Sequence, residues 1–247
     1  MTYKYAKGGI GDLLLCVQSA IEEKTIDLYS HYAYADSIFL PFGVSINRFD
    51  YFRNIEELNS IYAPGESLKS LLHPKFVMPH SPFKKPIGKV IGIHIEGSRF
   101  SNEFWAKRGK PSKNMSDEFL VKLIQELQFA IPNVIFYIFC DPHRTNDVGQ
   151  LLASVVYGDY FIISFTKIWG SLSCVPHCSC VIGMDSAIKS MSAILSIPTV
   201  TLVGDYEDSF RDSVFLNPYI NEGIMAVVKF NDINNVNPRD VVKYIEL

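Results

Sequence analysis

Residues 181–204 read VIGMDSAIKSMSAILSIPTVTLVG. The segment opens on an apolar strand that begins at Cys180 (CVIGM), passes through Asp185, continues as the helix SAIKSMSAIL over 186–195, and closes on a second apolar strand, TVTLVG, over 199–204. Strands buried on both faces lose the apolar/polar alternation of a half-exposed strand, so two such runs around one helix predict neighbouring strands of a parallel sheet.

The same alternation extends upstream of this unit. It runs as strand KVIGIHIE (89–96), a basic loop, helix SDEFLVKLIQELQFA (116–130), strand NVIFYIFC (133–140), a helix around Asp147–Val156, strand DYFIIS (159–164) and a helix near Lys167–Cys174. Repeated strand-helix-strand units of this kind predict an α/β fold with helices on both faces of a parallel sheet, a Rossmann-like half over residues 84–247. Downstream, Asn237-Pro238 places a capping side chain before a proline at the first helical position, so RDVVKYIEL is expected to form a terminal helix packed back on the body.

The opening of the chain repeats the theme on a smaller scale. TYKYAK is a strand, GGIG a glycine turn, and DLLLCVQSAIEEK a helix with Leu13, Cys16, Val17 and Ala20 at helical spacing. Short apolar runs follow at Ile26–Tyr29 and Ile38–Phe42, and NRFDYFRNIEELNSIY is expected to be a helix or helix-turn segment. Residues 64–88 carry Pro64, Pro74, Pro79, Pro82 and Pro86, which lack amide donors and hold φ near −65°, so they read as a linker. The expected architecture is a small N-terminal α/β domain over 1–83 and a larger C-terminal one over 84–247.

Of 247 residues, 48% are hydrophobic and 20% charged, a globular composition able to bury a core without disulfide or metal staples. The opening residues lack the apolar core of a signal peptide and no stretch approaches a membrane span, so a cytoplasmic protein is expected. Cysteines number 5, an odd count, and Cys16 and Cys140 lie in apolar runs, which speaks against a disulfide framework. Cys174, Cys178 and Cys180 flank His177 in CVPHCSC, a grouping of zinc-preferring ligand types. Zinc sites draw on separated ligand pairs, and this cluster leads straight into a buried strand, so packed thiols are the expected reading.

The net charge of −3 is unevenly spread. Residues 84–113 hold eight basic residues (Lys84, Lys85, Lys89, Arg99, Lys107, Arg108, Lys110, Lys113) against Glu96 and Glu103, a local net of +6. Such segregation suggests an anionic partner, a phosphorylated small molecule or a nucleic-acid backbone, unless the stretch is simply a solvated basic loop.

In doubly wound sheets ligands sit beyond the carboxyl ends of the strands, where glycine turns admit phosphate and helix N-termini offer free amides. Gly8-Gly9-Ile10-Gly11-Asp12, Gly97-Ser98-Arg99 and Gly183-Met184-Asp185-Ser186 all fall there. The first matches neither G-x-G-x-x-G nor the Walker A pattern, so dinucleotide and ATPase readings lack their fingerprints.

Taken together, these segments resemble the heptosyltransferase-like glycosyltransferase family of GT-B enzymes. KGGIGDLLLCVQSA looks like the glycine-Asp turn that opens those chains. GIHIEGSR with KNMSDEFLVKLI looks like the phosphate turn followed by a lysine before a helix. VIGMDSAIKSMSAILSIPTVTLVG is similar to the family's strand, Asp-Thr-Gly, helix, Pro, strand and Gly pattern, with Ala187 in place of that glycine and Ser190 in place of a histidine. The resemblance implies two Rossmann-like halves, the first reduced, and sugar transfer from a nucleoside-diphosphate sugar with inversion and no further cofactor.

It places Asp12 as the base that takes the acceptor hydroxyl's proton, beside Gly11; a helix cap is the alternative role for Asp12. Ser98, Arg99 and Lys113 fall at phosphate-contacting positions, Asp185 and Ser186 at the donor-binding pair, and Lys189 stands next to the missing histidine. Asp141, after strand NVIFYIFC, falls near a nucleotide-contacting position. No DxD pair stands at a strand end, so metal-independent transfer is expected, to a hydroxyl acceptor on a glycan, a lipopolysaccharide or a protein. Two other readings are a transferase acting on hydroxymethylated DNA, through the basic segment and Phe100, Phe104 and Trp105, and a nucleotide-sugar-binding protein that has lost catalysis.

Overall fold

The computed structural model describes residues 3–5, 11, 13–14, 27–30, 38, 40, 43, 45–48, 58–60, 83–97, 106–107, 109, 113–165, 168–204, 219–220 and 222–245. Four short strands lie in the N-terminal part: β1 (Tyr3–Tyr5), β2 (Asp27–Ser30), β3 (Ser45–Arg48) and β4 (Leu58–Ser60). They form one parallel sheet in the order β3-β2-β1-β4. The strands β3 and β4 correct the expectation of a helical segment over 47–62, since Asn47 and Arg48 end β3 and Leu58–Ser60 forms β4. Their polar sequences, SINR and LNS, carry little strand pattern of their own. Pairing with β2 and β1 decides their conformation, as tertiary context commonly does for strands.

The larger sheet comprises β5 (Val90–His94), β6 (Ile135–Cys140), β7 (Tyr160–Ser164), β8 (Cys180–Met184), β9 (Thr199–Gly204) and β10 (Met225–Phe230). All its pairings are parallel, in the order β10-β9-β8-β5-β6-β7. Counted within this half, that is the doubly wound order 3-2-1-4-5-6 read from the β7 edge, and the strand order reverses between β5 and β8, which stay parallel. The four inner strands are buried at every residue, while the edge strands β7 and β10 are partly open, which explains why the apolar runs are continuous only in the interior. Strand β10 carries the mixed pattern of an edge and escaped the sequence reading.

Among the described residues, five α-helices follow. In α1 (Asp117–Ala130), Ser116 caps the N-terminus by accepting from the Phe119 amide at 3.1 Å, Asp117 and Glu118 complement the dipole, and Phe119, Leu120, Leu123, Ile124 and Leu127 form the buried stripe. Helices α2 (Thr145–Val155), α3 (Ile168–Leu172), α4 (Ala187–Ile194) and α5 (Pro238–Val242) complete the set. Asn237 caps α5 through the Arg239 amide at 3.1 Å with Pro238 at the first position, and Val241 is buried against the α1 side of the sheet. The helix stops at Val242, short of the expected end at 247.

Two apolar layers sandwich the larger sheet. One joins Ile91, Ile93, Phe136 and Ile138 to α1, α2 and α5. The other joins Val90, Phe139 and Val181 to Ile188 and Met191 of α4, and it also takes in Leu13, Leu14 and Ile38. The N-terminal segment therefore shares a buried cluster with the α4 face. Most of the proline-rich stretch, 64–82, lies outside the described residues; Phe83–Lys89 is irregular, and Lys84, Lys85 and Lys89 are exposed.

Candidate anion site at the strand switch point

The site grows from the end of β5. After His94, the backbone makes a short antiparallel bridge with the segment that returns before α1: the Met115 amide donates to the Ile95 carbonyl at 2.6 Å and the Gly97 amide to the Lys113 carbonyl at 2.7 Å. A Cβ on residue 97 would lie 2.6 Å from Lys113 Cβ, so only glycine permits this approach. The two ends of the connection from β5 to α1 are thereby held together, and Lys113 is delivered to the carboxyl edge of the sheet.

On the other side of the switch point, β8 ends at Met184 and Asp185 stands before α4. Lys113 Nζ donates to Asp185 Oδ2 at 3.0 Å, and Lys189 Nζ, one turn into α4, donates to Oδ1. The side chains are 13%, 23% and 8% exposed for Lys113, Asp185 and Lys189. Burial alone pushes the Asp185 carboxyl up, but the Lys189 and Lys113 ammonium groups outweigh it and hold the group well below the usual carboxylate range. Asp185 is not the helix cap: Ser186 takes that role, its Oγ accepting from the Lys189 amide at 3.5 Å.

Gly11 of the N-terminal segment reaches the same helix. A Cβ on Gly11 would lie 3.0 Å from Ser190 Oγ and 3.4 Å from the Ala187 backbone, so the residue before the expected base packs directly on the first turn of α4. Ser190, standing where the resemblance has a histidine, is buried in that contact. Lys113, Asp185, Ser186, Lys189 and Gly11 are thus brought together. Asp141 stands apart, at the end of β6, with its amide donating to Glu96 and its carboxylate 3.6 Å from His143 Nδ1. Asp12, Ser98 and Arg99 lie outside the described residues, as do Phe100, Phe104 and Trp105.

Two residues near the site escaped the sequence reading. Glu96 is buried, accepts from the Asp141 amide and lies 3.8 Å from Arg144, which also pairs with Asp117 at 2.7 Å. This network ties the turns after β5 and β6 to the start of α1; the signal was a carboxylate directly between an apolar strand and a glycine. His94 is buried opposite Gly183, where a Cβ would lie 2.8 Å from His94 Cβ, and its ring meets Phe165 edge-on at 5.4 Å. Burial lowers its pKa to about 3 and its Nδ1 has no hydrogen-bond partner.

The cysteine cluster packs as thiols. Cys140, Cys174, Cys178 and Cys180 are buried, and burial pushes Cys140 and Cys180 to about 12. His177 Nδ1 sits 3.4 Å from the Tyr137 hydroxyl. Among the described residues no group of three or more His, Cys, Asp or Glu is arranged to hold a metal, and no helix is long and apolar enough to cross a membrane.

A doubly wound parallel sheet with a charged cluster at its switch point, preceded by a smaller parallel sheet, defines a GT-B type α/β fold. Solved structures agree. E. coli ADP-heptose LPS heptosyltransferase II superposes with a TM-score of 0.54 at 11% identity, over 99% of this chain and 97% of that one. E. coli heptosyltransferase WaaC with ADP-2-deoxy-2-fluoro heptose superposes with a TM-score of 0.57 at 10% identity, over 99% and 98%. At these identities the likeness is one of fold. No family model and no curated protein matches the sequence.

Proposed function

We propose that this protein is a glycosyltransferase that moves a sugar from a nucleoside-diphosphate sugar to a hydroxyl acceptor. The observation that carries the reading is the convergence of three distant parts of the chain, Gly11, Lys113, and Asp185 with Lys189, at the switch point of a GT-B fold. A switch point is where such sheets bind nucleotides, and two lysines there supply the positive charge that a departing diphosphate needs. The neighbours of this fold include a structure described with a nucleotide-sugar analogue.

In the reaction, Asp12 takes the acceptor hydroxyl's proton as the oxygen attacks the anomeric carbon from the face opposite the diphosphate. The anomeric C–O bond to phosphate breaks with inversion, and Lys113 and Lys189, with Arg99 and Ser98, receive the developing charge in place of a divalent ion. The division of labour follows the expected domains, donor on 84–247 and acceptor on 1–83, with a glycan, lipopolysaccharide or protein as acceptor.

The test starts with thermal stability against ADP, UDP, GDP and CDP and their common sugars. A ligand at about 100 times its Kd adds roughly 2.7 kcal/mol, a rise of about 5–10 °C for a chain of this size. Asp12→Asn is expected to keep the shift and abolish transfer. No shift with any nucleotide overturns the proposal, and donor binding without transfer or hydrolysis by the wild type would assign a non-catalytic donor-binding role.

A further inference from the structure

We infer that Asp185 is a positioning residue that holds Lys113 and Lys189 as a two-lysine clamp for the diphosphate, with Lys189 supplying the phosphate cation on α4. The inference rests on the donor-binding reading above and deepens it.

Both oxygens of Asp185 already accept from ammonium groups, Oδ1 from Lys189 and Oδ2 from Lys113, across a sequence separation of 72 residues for the second. One carboxylate therefore fixes two cations, one from the segment before α1 and one from the first turn of α4, on the two sides of the switch point. Lys189 is the more buried of the lysines, and among the described residues its ammonium pairs with Asp185 alone. A lysine side chain is flexible and carries about 2 kcal/mol of rotamer entropy; anchoring it before the ligand arrives removes that loss from the binding step. The Lys189 ammonium has three N–H donors, and with one given to Asp185 it keeps two for phosphate oxygens.

The packing at residue 190 explains why the cation is at 189. Ser190 lies against Gly11, where a Cβ on the glycine would already be 3.0 Å from its hydroxyl, so a side chain larger than serine at 190 would crowd Gly11. The cation moves one residue along the helix and reaches back one turn to Asp185.

The experiment is calorimetric titration of the full chain with inorganic pyrophosphate and with the nucleoside diphosphate that gives the largest thermal shift. Asp185→Asn removes a negative charge beside the site. If Asp185 only contacted donor sugar, pyrophosphate affinity would stay the same or rise; as the positioning residue, its loss weakens pyrophosphate at least tenfold. Lys189→Met is expected to weaken both ligands at least tenfold, and Lys189→Arg to stay within threefold of wild type. Equal loss in the Met and Arg variants assigns the effect to packing and overturns the inference, as does unchanged or tighter pyrophosphate binding by Asp185→Asn. Should Asp185→Asn fail to fold, the Lys189 pair decides alone. A wild type that binds a nucleoside diphosphate while both variants bind it equally well sinks only the clamp; a wild type that binds neither ligand sinks the clamp and the donor-binding reading together.

Discussion

His94 shows how a single buried group ties stability to pH. Its imidazole is held neutral, with a pKa lowered to about 3 by burial, against about 6.5 in the unfolded chain. Between pH 6.5 and 3 the unfolded state binds the extra proton, so stability is lost as pH falls through that window, approaching about 1.4 kcal/mol per pH unit. Asp185, whose carboxyl is held below its ordinary value, loses its contribution only at lower pH, below about 4. Melting curves of wild type and His94→Leu between pH 7 and 4.5 are expected to separate the two: the wild-type Tm falls more steeply, by a difference equivalent to about 2.5 kcal/mol at pH 4.5. Parallel curves would mean that the imidazole gains a proton without unfolding the protein. A lone histidine on an apolar strand gave no sign of this in the sequence, because its burial depends on Gly183 across the β5–β8 pair and on Phe165 beyond β7.

At the level of elements, the connection from β5 to α1 matters most. Its long basic loop was legible as a charge excess, but the device that orders its base was not: two backbone bonds between Ile95–Gly97 and Lys113–Met115, with Gly97 as the residue that lets them form. Gly97→Ala forces a Cβ to within 2.6 Å of Lys113 Cβ, an overpacking that costs about 1–3 kcal/mol. The expected result is a Tm lower by roughly 3–10 °C together with weaker pyrophosphate binding, measured by thermal melts and titration. A lower Tm with full pyrophosphate affinity would separate the bridge from the placement of Lys113. Helices α1, α4 and α5 were readable because their caps are local: Ser116, Ser186 and Asn237 each accept from an amide two or three residues on.

For the whole molecule, the telling contact is Gly11 on α4, which joins the N-terminal segment to the larger sheet's ligand edge. Gly11→Ala brings a methyl to 3.0 Å from Ser190 Oγ, and Ser190→Ala removes the atom it meets. A double-mutant cycle is expected to show the pair coupled, with Ser190→Ala recovering about 0.5–1 kcal/mol of the stability lost in Gly11→Ala. Additive effects would place the two residues apart in solution. The shared cluster of Leu13, Leu14 and Ile38 with Ile188 and Met191 gives the same contact its apolar backing.

The sequence by itself determined the α/β class, the inner strands and capped helices, and the residue types at the ends of β5 and β8, because continuous apolar runs and local caps are written in neighbouring residues. Only the tertiary structure decided that SINR and LNS are strands, that β10 closes the sheet, and that Asp185 spends both oxygens on lysines from two different segments. Those outcomes depend on strand pairing and on charges brought together across long sequence separations. Their energies come from partners that no local window of the chain contains.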